Sequence, residues 1–186
     1  MEIIKLIGYI NSIIWILIPI RQYKTKFFLF FLVLGLLDPL AFTSIFLIKF
    51  NVAILYLFGT IVLFYTASLG IKREIKIGFS LFFLVASLIV VFYSMPISII
   101  IQMVIHLMIF IYFLKILVVF YSEHRKLLLF HLVLVVYEFS LLLKFYVFYH
   151  EVGVGPAYYS VTTALQIIIG IFFIFVNEVN SPKLTI

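Results

Sequence analysis

Seven apolar runs, each close to the length that spans a bilayer and separated by breaks of a few residues, constrain this chain more than any other feature. They fall near residues 3–20, 27–48, 52–71, 77–95, 97–121, 127–147 and 158–176. A helix needs about 17–25 apolar residues to cross the hydrocarbon core, and within lipid the backbone polar groups must be satisfied inside the segment. The breaks are Arg21–Lys26, Lys49–Asn51, Lys72–Lys76, Ser94–Ser98, Ser122–Lys126 and His150–Ala157. Only Pro96 and its flanking serines mark the fourth, yet without it residues 77–121 would form one helix far too long for a membrane. The predicted fold is therefore all-α, a polytopic membrane protein. Its single domain, residues 1–186, holds seven transmembrane helices and no extramembrane domain.

Composition excludes several function classes. A chain with 67% hydrophobic residues, 11% charged residues and a mean hydropathy of +1.36 cannot cover a water-facing surface. The net charge of +6 is explained by membrane orientation rather than by nucleic-acid binding. With no cysteine, the chain has no disulfide, thiolate metal site or thiol nucleophile. The N-terminus lacks a basic region and a small-residue cleavage site, so the first run is expected to be a retained helix.

The basic residues set a direction. Arg21, Lys24 and Lys26, then Lys72, Arg73 and Lys76, then Arg125 and Lys126 lie in alternate breaks, and Lys183 lies in the tail. Only Lys5, Lys49 and Lys144 fall on the other side, while Lys115 is near enough to the basic end to snorkel. The bias predicts an N-terminus outside, a C-terminus in the cytoplasm and a multi-pass protein of the cell's inner membrane. Tyr146, Tyr149, Tyr158 and Tyr159 suit the outer interface, and Tyr23 and Tyr121 the inner one.

Two carboxylates stand alone inside apolar runs: Asp38 and Glu138. An ionisable group at the bilayer centre costs at least ~2.5 kcal/mol, so each is a candidate functional group. Burial in hydrocarbon disfavours the charged form, which makes both candidates for proton carriers or neutral donors. Pro39 cannot donate to the carbonyl of Gly35, so a kink is expected beside Asp38. Thr43, Ser44 or a hydroxyl elsewhere could bond Asp38. Glu138 has Leu134, Leu141 and Leu142 on its own face and needs a partner from another helix.

The segments around the acids match. Lys26, Leu29, Phe30, Leu32, Val33 and Leu34 recur as Lys126, Leu129, Phe130, Leu132, Val133 and Leu134, and Asp38 then aligns with Glu138. Helices one to three and five to seven would form a 3+1+3 parallel internal repeat, with helix four as the inverting linker. Each acid lies twelve residues, roughly 18 Å, from its lysine, near the bilayer midplane. This arrangement resembles PQ-loop and sugar-efflux (SWEET-type) transporters in topology. Pro19 and Pro96 stand in helices one and five, but the Pro-Gln pairs of that family are absent, so its pocket residues are not carried over.

Other polar positions are fewer. Thr162, Gln166 and Gly170 form a polar and small stripe on helix seven, and Gly59, Thr66 and Gly70 a similar one on helix three. Such stripes serve either a pocket or helix packing, and Asn11, Ser12 and Trp15 on helix one suit the same two roles. His106 and His131 fall on different helices and at different depths, a poor metal pair. No metal or cofactor is expected: there is no HExxH, no GxSxG and no phosphate loop, and helix seven has no lysine to hold retinal. Gly153-Val-Gly-Pro156 reads as a turn.

Three function classes follow. The leading one is a sensor or receptor-like signalling component that acts with a separate cytoplasmic protein partner. The second is a small proton-coupled transporter of a small molecule, using Asp38 and Glu138 with Gln166 and Thr162 as further binding candidates. The third is an intramembrane hydrolase with two carboxylates as acid and base. Seven short-looped helices with an acid in helix two resemble the short seven-helix membrane proteins common in Bacteroidota, often encoded near sensor histidine kinases. That resemblance implies signalling. A more distant likeness, through Leu34-Gly-Leu-Leu-Asp38, is to lysoplasmalogenase-like membrane proteins, although the Gly-Asp pair of that family is missing.

Overall fold

The computed structural model describes residues 2–47, 51–93, 95–150 and 155–185; Lys49, Ser94 and Gly153, each in an expected break, lie outside them. Among the described residues seven helices follow one another: α1 (Glu2–Gln22), α2 (Phe28–Leu47), α3 (Val52–Ala67), α4 (Arg73–Tyr93), α5 (Met95–His124), α6 (Leu129–Tyr149) and α7 (Gly155–Phe175). Among the described residues three segments are long and apolar enough to cross a membrane, namely Phe28–Ile45, Ile97–His124 and Leu129–Tyr149. Leu6–Gln22, Val52–Ala67 and Ser160–Phe175 are shorter apolar stretches. The outer faces are apolar too: Ile13 on α1 is 59% exposed, Phe82 on α4 65%, Val118 on α5 56% and Ile168 on α7 65%. A surface of this kind suits lipid rather than water.

Local chemistry sets the ends of the helices. Asn51 caps α3, its side-chain oxygen accepting from the Ala53 N–H at 3.0 Å. The same helix stops at Ala67 rather than near residue 71: Ser68 still donates its N–H to the Phe64 carbonyl, but its ψ of 59 leaves the helical region and the Leu69 N–H turns back onto the Ala67 carbonyl at 2.7 Å. Gly70, with φ +78, therefore belongs to the turn after α3 and not to a small-residue stripe along it. Lys24 (φ 69) and Arg125 (φ 53) are left-handed residues just past the ends of α1 and α5.

One element departs from the all-α expectation. After Arg125 the chain is briefly extended as β1 (Lys126–Leu128), and the C-terminal tail returns as β2 (Lys183–Thr185). The two pair antiparallel with Leu127 opposite Leu184. The Leu129 N–H donates to the Pro182 carbonyl at 3.0 Å, and the Phe130 N–H to Ser181 Oγ at 2.9 Å. These bonds satisfy the first donors of α6, which helical bonding leaves open. The buried Gln22 amide does the reverse service for α7, donating to the Phe173 and Val176 carbonyls at 2.9 Å each. The tail is thus a strap across the end of the bundle that carries the basic loops.

Six helices pack in a closed ring, α1 against α2, α2 against α3, α3 against α5, α5 against α6, α6 against α7 and α7 against α1. The remaining helix, α4, lies outside the ring against α3 and α5. Close approach needs small residues. A side chain at Gly35 would put its Cβ 2.5 Å from the Trp15 carbonyl oxygen on α1, and one at Gly170 would meet Ile14 Cγ2 at 2.6 Å. At the basic end the ring is filled by Phe27, Phe30, Phe31, Phe113, Phe130 and Phe173, all fully buried. They meet edge-on or tilted, Phe27 to Phe130 at 5.3 Å and Phe31 to Phe173 at 4.8 Å between centroids.

Candidate functional site

Because phenylalanines fill one half of the ring, polar side chains collect in the other. There the helices surround a cavity of about 1200 Å³. Its walls come from the first half of α1, the second half of α2, and the first halves of α3, α5 and α7, with the second half of α6. In an alternating bundle these segments all belong to the end opposite the basic loops. Trp15 and Tyr137, tilted against each other at 4.6 Å between centroids, face the cavity where the aromatic packing begins.

Asp38, partly buried, lines this cavity. Its carboxylate accepts from Tyr56 Oη at 2.7 Å and from Ser12 Oγ at 3.0 Å, which ties α2 to both of its ring neighbours. Neither donor lies on α2 itself: Thr43 bonds the Pro39 carbonyl instead. Around Pro39 the helix runs on to Leu47, and Gly35 packs on α1 rather than opening towards a ligand.

Glu138 is more deeply placed. It is 1% exposed and bonds His106 on α5, with Glu138 Oε2 at 2.8 Å from His106 Nδ1. The imidazole lines the cavity and the carboxylate sits behind it. His106 thus joins the site as a residue that sequence reasoning had weighed only as a metal ligand. Asp38 and Glu138 bond different partners, so the acids are two groups rather than one dyad.

On α7 the cavity is lined by Thr163 and Gln166, and Thr162 lies outside the lining. Gln166 lines the cavity and its amide oxygen accepts from Lys144 Nζ at 3.3 Å. Thr162 is buried and donates to the Tyr158 carbonyl, as membrane-helix hydroxyls do when they face packing. Thr163, its neighbour, faces the cavity instead. Among the described residues the Thr163 hydroxyl and the Tyr158 hydroxyl are buried without a hydrogen-bond partner, as is Glu138 Oε1.

The basic loops form the opposite end. Lys26 lies 3.7 Å from Glu178 Oε1 and His131 Nε2 lies 3.5 Å from the same atom. The histidine contact is an ion-pair distance rather than a formed hydrogen bond. Together the two hold the Glu178 carboxyl below its ordinary value of 4.5, with His131 the main cause. Lys24 and Lys76 lie over the rings of Tyr23 and Tyr65, as amphipathic side chains do at an interface.

No protein-family model matches the chain, and no curated protein or solved structure matches it either.

Proposed function

We propose that the protein is a receptor-like component of the cell's inner membrane that binds a small molecule in the cavity and acts through a separate cytoplasmic protein. On this reading all seven helices span the membrane, the N-terminus is outside and the basic end is cytoplasmic. The supporting observation is that the cavity stops short of the buried phenylalanines that fill the basic half. A pocket with a floor suits a ligand that binds and leaves by the same side. Its occupancy would be felt at the basic end through α2 and α6, each of which carries an acid near the cavity and phenylalanines below it. The basic loops, Arg21 to Lys26, Lys72 to Lys76 and Arg125 to Lys126, are the proposed docking face for an acidic surface.

The ring supports a second reading, a proton-coupled transporter. Exchanging α1, α2 and α3 for α5, α6 and α7 maps the observed ring of contacts onto itself, as a 3+1+3 repeat requires. The acids then correspond, Asp38 bonding α1 and Glu138 bonding α5. Tyr56 with Thr60 on α3 likewise corresponds to Tyr158 with Thr162 on α7, each threonine donating to its tyrosine's carbonyl. A two-carboxylate hydrolase has no comparable support.

Purification of the tagged protein from its native membranes in mild detergent, with mass spectrometry of what accompanies it, tests the proposal. A stoichiometric cytoplasmic protein that is lost when Lys72, Arg73 and Lys76 are changed to Gln supports the receptor reading. Recovery of the protein alone, together with pH-coupled solute flux in proteoliposomes that Glu138→Gln abolishes, replaces it with the transporter.

A further inference from the structure

The cavity presents contrasting chemistry on two of its walls. On α7 the unpartnered hydroxyls of Thr163 and Tyr158 are donors in search of an acceptor; Thr163 is 1% exposed and the Tyr158 hydroxyl is itself buried. Lys144 engages the oxygen of Gln166, which leaves the Gln166 amide nitrogen as a further donor. This wall suits an anionic group. Asp38, on α2, which α1 separates from α7 in the ring, lies within electrostatic reach of Lys144 and Tyr137. Its two hydrogen bonds leave lone pairs for another donor. An anion alone would meet Asp38 unfavourably, and a cation alone would leave the α7 hydroxyls unmatched. Between them the lining is largely aromatic and aliphatic, including Trp15.

We infer that the cavity binds a small zwitterion of the α-amino-acid type with an apolar side chain. The carboxylate accepts from Thr163, Tyr158 and the Lys144–Gln166 pair. The ammonium group donates to Asp38, and the side chain packs against Trp15 and its aromatic neighbours. Two charge-assisted contacts at fixed separation would also discriminate against ligands with only one of them. This rests on the reading of the cavity as a ligand pocket, and narrows it.

Trp15 is the chain's one tryptophan and lines the cavity, so its fluorescence reports occupancy. The purified full-length protein in nanodiscs is titrated with leucine, methionine and phenylalanine. The matching amines are isoamylamine, 3-(methylthio)propylamine and phenethylamine; the matching acids are 4-methylpentanoate, 4-(methylthio)butanoate and 3-phenylpropionate. The expected result is that at least one amino acid shifts the emission and binds about tenfold or more tighter than both its amine and its acid. Asp38→Asn should remove the advantage over the acid, and Thr163→Val should weaken the amino acid while leaving the amine unchanged. Where Asp38→Asn fails to fold, Thr163→Val alone carries the test. An amine or acid that binds as well as the amino acid overturns the zwitterion but leaves the pocket. Absence of any shift with all nine compounds overturns the assignment, while the co-purification result still judges the receptor reading separately.

Discussion

His106 Nδ1 lies 2.8 Å from Glu138 Oε2 at the contact between α5 and α6, with both side chains almost wholly buried. The imidazole faces the cavity and the carboxylate faces protein, so the pair is the polar link between the pocket and the packed interior. A buried partner left alone is costly, whereas a substitute that keeps one hydrogen bond is not. Glu138→Gln is therefore expected to change stability by less than about 1 kcal/mol. Glu138→Leu strands His106 Nδ1 and should cost on the order of 1–2 kcal/mol, the upper range of interhelical hydrogen bonds in membranes. Equilibrium unfolding in mixed micelles, titrated with denaturing detergent, checks the order. A Leu variant as stable as wild type would show that the pair does not hold α5 to α6.

Gly35 lets α1 and α2 approach closely, since a Cβ there would sit 2.5 Å from the Trp15 carbonyl oxygen. That neighbour is backbone and cannot rotate away. Gly35→Ala should cost about 1–3 kcal/mol through displaced helices, and it should blue- or red-shift the Trp15 emission by moving the ring in its pocket. An unchanged unfolding midpoint together with unchanged fluorescence would mean that the two helices are not packed as described.

Glu178 gives the strap a pH dependence whose sign is fixed by His131 and Lys26. Both favour the ionised carboxylate, which holds it below the ordinary 4.5. The stabilisation is fully present above that value and is lost as pH falls through the lower folded one. Hydrogen exchange at the Leu129 and Phe130 amides, which the strap covers, should show protection that declines on acidification below pH 4.5. In Glu178→Gln that part of the decline should vanish. A decline of the same size and midpoint in the variant would assign it to another group.

Much of the architecture could be read from the chain because the membrane signal is strong. Long apolar runs set seven helices, and Asp38 and Gln166 were singled out because a polar group in such a run is rare. What escaped was angular and local. Helices apolar on every side give no moment, so the sequence leaves rotation open, and Thr163, which lines the cavity beside Gln166, carries no signal of its own. The His106–Glu138 pair joins two helices, α5 and α6, whose relative rotation and register an all-apolar pattern does not give. The strap itself, Asn177 to Thr185, carries only a turn-rich segment and a short alternation, too little to announce a partner in Lys126–Leu128.

The central claim, that the cavity opens on the outer side and holds a ligand there, can be tested directly because the chain contains no cysteine. Thr163→Cys and Lys26→Cys place single thiols at the cavity wall and at the basic end. They are treated in intact spheroplasts with a membrane-impermeant charged thiosulfonate, before and after addition of the bound amino acid. The account predicts that Cys at 163 reacts from outside and is protected by the ligand, and that Cys at 26 reacts only after permeabilisation. Labelling of the Thr163→Cys thiol only from inside-out vesicles would contradict it.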